Sequence, residues 1–198
     1  PDISIITPVF HSNELRFFCD CVGHHSDVGG ITPGSMPAFS KSIHEEGILL
    51  NGFTVLKKNK ILDKKIIEEF KKGDFPSRDP LQNLNDIKAQ IASCKKGILE
   101  MDKIISSYSL STVNTYVSFI NKNCTEIIDK IIKKIPKSKF SYALDNGAVI
   151  QCKIKFDKKT KKIDIDFSNS SNLLSNNFNT TKAVTKSVVI YFLRTLVK

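Results

Sequence analysis

The sequence predicts an α+β fold: mixed β-sheet segments, a long helical hairpin inserted among them, and a second antiparallel β region. Three observations predict it. Short apolar stretches of strand length occupy the first part of the chain. The apolar period then lengthens to three and four residues, and later returns to two. Strong turn signals separate the last strands, above all Asp145-Asn146-Gly147. The chain divides accordingly into a β-rich part over 1–60, a helical part over 61–137, and antiparallel strands with a closing helix over 138–198.

Ile3 to Phe10 and Leu15 to Val22 read as two strands joined by the polar loop His11-Ser12-Asn13-Glu14. Their near-continuous hydrophobicity predicts a sheet buried on both faces. A Gly- and Pro-broken loop follows, then Ser40 to Glu46, then a third strand-like stretch near Ile48 to Leu56. Asp63 is placed to N-cap a helix over Lys64 to Lys72, which Gly73-Asp74-Phe75-Pro76 ends. Leu84, Ile87, Ile91, Cys94, Ile98, Met101 and Ile105 trace one stripe of a helix of about seven turns beginning after Pro80. Ser109-Leu110-Ser111 marks a break and a new N-cap, and the pattern resumes from Val113 until Pro136 stops it. Three strands follow near Phe140–Leu144, Val149–Phe156 and Lys161–Phe167. Asn169 to Thr181 is polar and reads as loop. Ala183 to Val197 closes the chain as a helix, with Val184, Val188, Tyr191, Phe192 and Leu196 available for burial.

The chain of 198 residues carries a net charge of +10. Nearly all its positive charge is lysine; the arginines are Arg16, Arg78 and Arg194. Nucleic-acid recognition favours the bidentate arginine fork, so a Lys/Asn-rich bias explains the charge better and no nucleic-acid partner is expected. No apolar run approaches the ~20 residues that span a bilayer, so no membrane partner is expected either. The five cysteines are irregularly spaced without a Cys-x-x-Cys pair, which predicts reduced thiols in a cytoplasmic protein rather than a zinc ribbon. A chain opening on Pro1 and entering a strand at once reads as a piece of a longer polypeptide.

The most unusual segment is His24-His25-Ser26-Asp27-Val28-Gly29-Gly30, followed by Ile31-Thr32-Pro33-Gly34-Ser35-Met36-Pro37. It puts two imidazoles and a carboxylate in a sharply folded loop after a buried strand, the usual position for chemistry. Adjacent histidines on extended backbone point to opposite sides, so at most one faces a given site. Spacing alone supports a metal only weakly. Asp27 serves equally as a turn cap or as a proton-transfer group. Gly29 and Gly30 could bring backbone N–H groups to an oxyanion. Glu45 is a general base or a solvated turn residue. Asp86 and Gln90 share one helix face, the ordinary polarity of a helix surface. No P-loop and no Gly-x-Ser-x-Gly elbow is present.

Together these stretches resemble the hydantoinase B/5-oxoprolinase family, nearest the C-terminal half of its ATP-dependent oxoprolinase members. Thr7-Pro8-Val9-Phe10, the block from Gly23 to Pro37 and Glu45-Glu46-Gly47 carry the resemblance. So do Asn83-Leu84-Asn85-Asp86-Ile87-Lys88-Ala89-Gln90-Ile91-Ala92, Ala183-Val184-Thr185-Lys186-Ser187 and Ile190-Tyr191-Phe192-Leu193-Arg194. The resemblance implies ATP-dependent opening of 5-oxo-L-proline to L-glutamate, in the service of glutathione metabolism. An ATP-binding half, with ATP and Mg, would activate the amide, and the half represented here would complete hydrolysis. A hydantoin-cleaving or acetone-carboxylase-like relative, or a non-catalytic interaction module, is the alternative. The resemblance also implies a divalent metal (Mn, Fe or Zn) held by Asp2 and His24, with a further His just before residue 1. With such a metal, His25 and Asp27 would have supporting or proton-transfer roles, and Gly29 and Gly30 an oxyanion role. The full-length form is expected to be a homo-oligomer, and this portion alone is expected to be inactive.

Overall fold

A computed structural model describes residues 1–197. The fold class is α+β, with small antiparallel sheets and four α-helices among the described residues. The chain forms two compact units, Pro1–Leu110 with Ser175–Phe178, and Ser111–Leu174 with Asn179 onward.

In the first unit, β1 (Asp2–His11) and β2 (Glu14–His24) form an antiparallel ribbon whose terminal pair is Asp2 with His24. Ser12 and Asn13 turn the ribbon with φ of 51° and 64°, the left-handed pair that a two-residue hairpin loop needs. Helix α1 covers Asp63–Phe70 and helix α2 covers Pro80–Tyr108. Pro80 opens α2, and the Asp79 carboxylate accepts the Gln82 amide at 3.0 Å, a standard N-cap. The predicted stripe is the buried one: Leu84, Ile87, Ile91, Cys94 and Ile105 are all buried. Ile5, Val28, Ile66 and Phe70 form one core cluster with Leu84, Ile87, Ile91 and Cys94. Each fully buried aliphatic side chain stabilises this unit by about 2 kcal/mol.

Two close fits seat α2 on the ribbon. A Cβ at Gly23 would lie 2.6 Å from the Gln90 side chain, and a Cβ at Gly97 would lie 2.6 Å from Cys19 Sγ. Both positions are glycine because a neighbouring side chain fills the space.

Three expectations are corrected in this unit. The ribbon is buried on one face only: Ile3, Cys19 and Cys21 pack towards the core, whereas Ile6, Phe18 and Val22 are exposed. A two-stranded ribbon under a single helix layer has one covered face, whatever its hydrophobicity. The stretch Ile48–Val55 is not a strand. A short 3₁₀ helix spans Ile43–Glu46, and regular pairing returns only at β3 (Leu56–Lys57) and β4 (Lys60–Ile61). Ile48, Leu50, Phe53 and Val55 pack on the core without a ladder partner. Asp63 is the first residue of α1 rather than its cap; Leu62 holds the cap position, and the Asp63 carboxylate meets Lys88 Nζ of α2 at 2.9 Å.

In the second unit, helix α3 covers Leu110–Ile132, after Ser109 breaks the α2 geometry with φ 70°. Strands β5 (Ser138–Ala143), β6 (Val149–Asp157) and β7 (Lys162–Asp166) form an antiparallel sheet in that order. The Asp145-Asn146-Gly147 turn is present, with Gly147 at φ 82°. Helix α4 (Lys182–Thr195) starts at a Thr181 cap. Its apolar residues were expected to be buried; within this chain none of them is.

Candidate active site

Antiparallel pairing brings the two ends of the ribbon together. Asp2 and His24, far apart in sequence, are direct cross-strand partners, and His24 Nδ1 lies 3.0 Å from Asp2 Oδ1. Both side chains are well exposed. The hydrogen bond from the imidazole, aided by its charge when protonated, holds the Asp2 carboxyl below the usual carboxylate range. Imidazole with carboxylate suits a borderline divalent ion. A catalytic ion takes three protein ligands, and no cluster of three His, Cys, Asp or Glu occurs among the described residues. The two donor types suit a metal, but the described residues bring together this pair alone and no third such group.

His25 faces the other way, as the alternation of extended backbone requires, and is completely buried. Its ring stacks 6.3 Å from Phe70. Gln90 Nε2 donates to Ile3 O at 2.7 Å and to Cys21 O at 2.9 Å. That leaves Gln90 Oε1 as the acceptor for His25 Nε2–H at 3.1 Å. Asn83 Nδ2 donates to Asp27 O at 2.7 Å and to His25 Nδ1 at 3.1 Å, while Asn83 Oδ1 accepts from Ser77 Oγ at 2.5 Å. In this network His25 donates through Nε2 and accepts at Nδ1. The Asp86 carboxylate lies 3.8 Å from Nδ1, beyond hydrogen-bonding reach.

The loop after His25 is organised by Asp27. Its Oδ1 accepts from the Gly29 amide at 2.9 Å and the Arg78 amide at 3.2 Å. Its Oδ2 accepts from the Gly34 amide at 2.9 Å and Arg78 Nη1 at 2.8 Å. Partial burial would raise the Asp27 pKa, but the bonds from Gly34, Gly29 and Arg78 outweigh it and hold the carboxyl below its ordinary value. Arg78 Nη2 also binds Gly30 O at 2.9 Å. The Gly29 amide is thus engaged by Asp27, and the Gly30 amide donates to Phe75 O at 2.9 Å. Both glycines have positive φ, 97° and 93°, and both are packed against backbone. A Cβ at Gly29 would sit 2.1 Å from Phe75 O, and one at Gly30 would sit 2.8 Å from Glu45 O. Ser35 ties the loop internally, its Oγ donating to Gly29 O at 2.5 Å and accepting from the Val28 amide at 2.7 Å. Glu45 Oε2 accepts the Lys41 amide at 2.7 Å.

Of the predicted site residues, Asp2 and His24 bond to each other. His25, Asp27, Gly29, Gly30 and Glu45 form the scaffold of the adjoining loop through separate partners. The profile of the hydantoinase B/oxoprolinase family matches residues 1–198. The chain belongs to that family. It is 35% identical to 5-oxoprolinase 1 of Arabidopsis thaliana and 37% identical to the 5-oxoprolinase of Dictyostelium discoideum, each match covering 100% of this chain. It spans 18% and 16% of those relatives' own lengths. Among solved structures it is similar to the ATP-dependent caprolactamase from Pseudomonas jessenii. That match has a TM-score of 0.77 and 18% identity, and covers 96% of this chain and 33% of that one.

Sequence reasoning missed Arg78, Asn83 and Gln90. Arg78 had a signal, being a rare arginine in a lysine-rich chain at a place where a forked donor is needed. Asn83 and Gln90 lie two turns apart on the α2 face that also carries Ile87, so both polar residues fall inside the buried stripe. Gln90 is accordingly no surface residue: it is buried.

Proposed function

We propose that this chain is part of a 5-oxoprolinase-like enzyme that opens 5-oxo-L-proline to L-glutamate coupled to ATP hydrolysis, and that this part completes hydrolysis of the activated lactam. One observation carries the reading beyond family membership. The ribbon delivers a carboxylate and an imidazole to one exposed point at its end, 3.0 Å apart, beside a loop too tightly bonded to drift.

Asp2 and His24 would hold a divalent ion of the Mn, Fe or Zn class together with a ligand from outside this chain. Such an ion supplies polarisation of an amide oxygen or a hydroxide near neutral pH. Asp2 fixes the orientation of the His24 ring through Nδ1. Asp27, Arg78, Gly29, Gly30 and Glu45 brace the loop that follows the ribbon. ATP, with Mg, would act on another part of the same enzyme. A lactam is resonance-stabilised and needs activation, and the loops of this chain offer no Gly-Lys-Ser/Thr phosphate cradle.

The test is glutamate release from 5-oxoproline by the full-length protein with and without ATP. Release that requires ATP is expected; cleavage of a hydantoin in place of 5-oxoproline would move the protein to the other branch of the family. The 198-residue chain alone is expected to release none. Asp2→Ala and His24→Ala in the full-length protein are expected to lower bound metal, read by elemental analysis, along with turnover. Unchanged metal and unchanged turnover would reject the ligand pair.

A further inference from the structure

We propose that Gln90, itself held by His25 and, through His25, by Asn83, positions the Asp2–His24 pair. The inference rests on the reading of Asp2 and His24 as the pair that would hold a divalent ion, and adds the device that aims them.

Gln90 Nε2 donates to the carbonyls of Ile3 and Cys21. Ile3 directly follows Asp2, and Cys21 lies three residues before His24 on the opposite strand. One amide on α2 therefore grips both strands of the ribbon just behind its last pair. Gly23, paired with Ile3 in the ladder, lacks a Cβ where Gln90 enters. A third hold comes from the His25 amide, which donates to Pro1 O at 2.9 Å and so closes the ribbon beyond Asp2.

The remaining Gln90 atom, Oε1, is held by His25 Nε2–H, and the other ring nitrogen is held by Asn83. Asn83 in turn spends its second donor on Asp27 O and its oxygen on Ser77. Every polar atom of the three side chains has a partner, and no buried side-chain nitrogen or oxygen lacks one among the described residues. The His25 ring has no solvent exposure and both its nitrogens are occupied, so its place is fixed. Its backbone follows directly on His24. Buried polar networks of this completeness specify one arrangement, because each partial arrangement leaves a buried group unpaired.

The test uses the full-length protein. Gln90→Met keeps side-chain length and removes all three hydrogen bonds. Ile91→Val thins the same helix–ribbon interface by one methyl group without touching the network, and calibrates the effect of lost stability alone. Positioning predicts that Gln90→Met lowers kcat by at least about tenfold with KM little changed, whereas Ile91→Val stays within about twofold. Equal losses in both variants would overturn the proposal. If Gln90→Met fails to fold, Gly23→Ala decides, because its Cβ crowds the Gln90 side chain from the ribbon. A Gly23→Ala variant with kcat within about twofold of wild type would overturn the proposal, and a loss of about tenfold with KM little changed supports it. A wild-type protein inactive on 5-oxoproline with and without ATP would remove the functional reading; the positioning is then judged by amide hydrogen exchange, where Gln90→Met should loosen the ribbon end at Asp2 and His24 more than Ile91→Val does, and equal exchange would overturn it.

Discussion

Arg78 reaches back across 51 residues to clamp the loop, binding the Asp27 carboxylate with one arm and Gly30 O with the other. Lysine carries the same charge on a single point and cannot span both acceptors. Arg78→Lys is expected to cost about 1–2 kcal/mol of stability, read by chemical denaturation. The Asp27 carboxyl has a depressed folded-state pKa, so its contribution is complete above the ordinary carboxylate range and is lost as pH falls through the folded value. Asp2, Glu100, Asp157 and Asp166 are depressed too. The wild-type protein should therefore lose stability on acidification below about pH 4, and Asp27→Asn should lose it less steeply. Parallel acid limbs would show that the loop carboxylate carries none of the linkage. At this scale the sequence was half legible. That His24 and His25 part company follows from backbone alternation alone. That Asp27 binds Arg78 does not, because the partner arrives from beyond a 3₁₀ helix, β3, β4 and α1. The sequence left Asp27 open between turn cap and proton carrier, and four hydrogen bonds to donors favour the cap.

Helix α2 is the element on which the first unit is built. Its apolar stripe was readable from spacing, and the structure buries most of it. Ile87 is fully buried at the centre of that stripe. Ile87→Ala should cost about 2–5 kcal/mol, seen as a lowered denaturation midpoint, since the closely packed neighbours cannot collapse into the space. The strand expected over Ile48–Leu56 failed for a definite reason. Apolar residues placed every second or third position pack on a core equally well with or without a neighbouring strand. Hydrogen-bond partners, which pattern does not reveal, decide whether a ladder forms. Here the Ile48 amide goes to Val28 O as an isolated bond, and only at Val55, whose O receives the Leu62 amide beside the β3–β4 pair, does the stretch reach a ladder.

At the scale of the whole molecule, the two units differ in how much they bury. The first has a contiguous core, whereas in the second Ile132 is the only buried residue among those described. Its sheet is two-faced: Lys139 and Lys153 pair on one side, with Asp166 beside them, while Phe140, Tyr142 and Ile150 lie exposed on the other. The ribbon of the first unit likewise exposes Ile6, Phe18 and Val22. Contiguous apolar surface of this kind marks a face that meets another surface. The chain is less than a fifth of the length of its 5-oxoprolinase relatives. The 198-residue chain alone should therefore bind the dye ANS and self-associate at micromolar concentration, and the full-length protein should do so far less. A dye-silent monomer would show that these faces are tolerated in water. No helix among the described residues is long and apolar enough to cross a membrane.

The contact between Gly23 and Gln90 carries an evolutionary corollary. With 2.6 Å between the glutamine and the place a methyl group would occupy, the two positions cannot vary independently. A lineage that acquires alanine at 23 must shorten the residue at 90, and in doing so it surrenders the tether on both strands. Across descendants of a common ancestor the two should therefore be retained or replaced as a couple, and an alanine at 23 beside an intact glutamine at 90 should be absent.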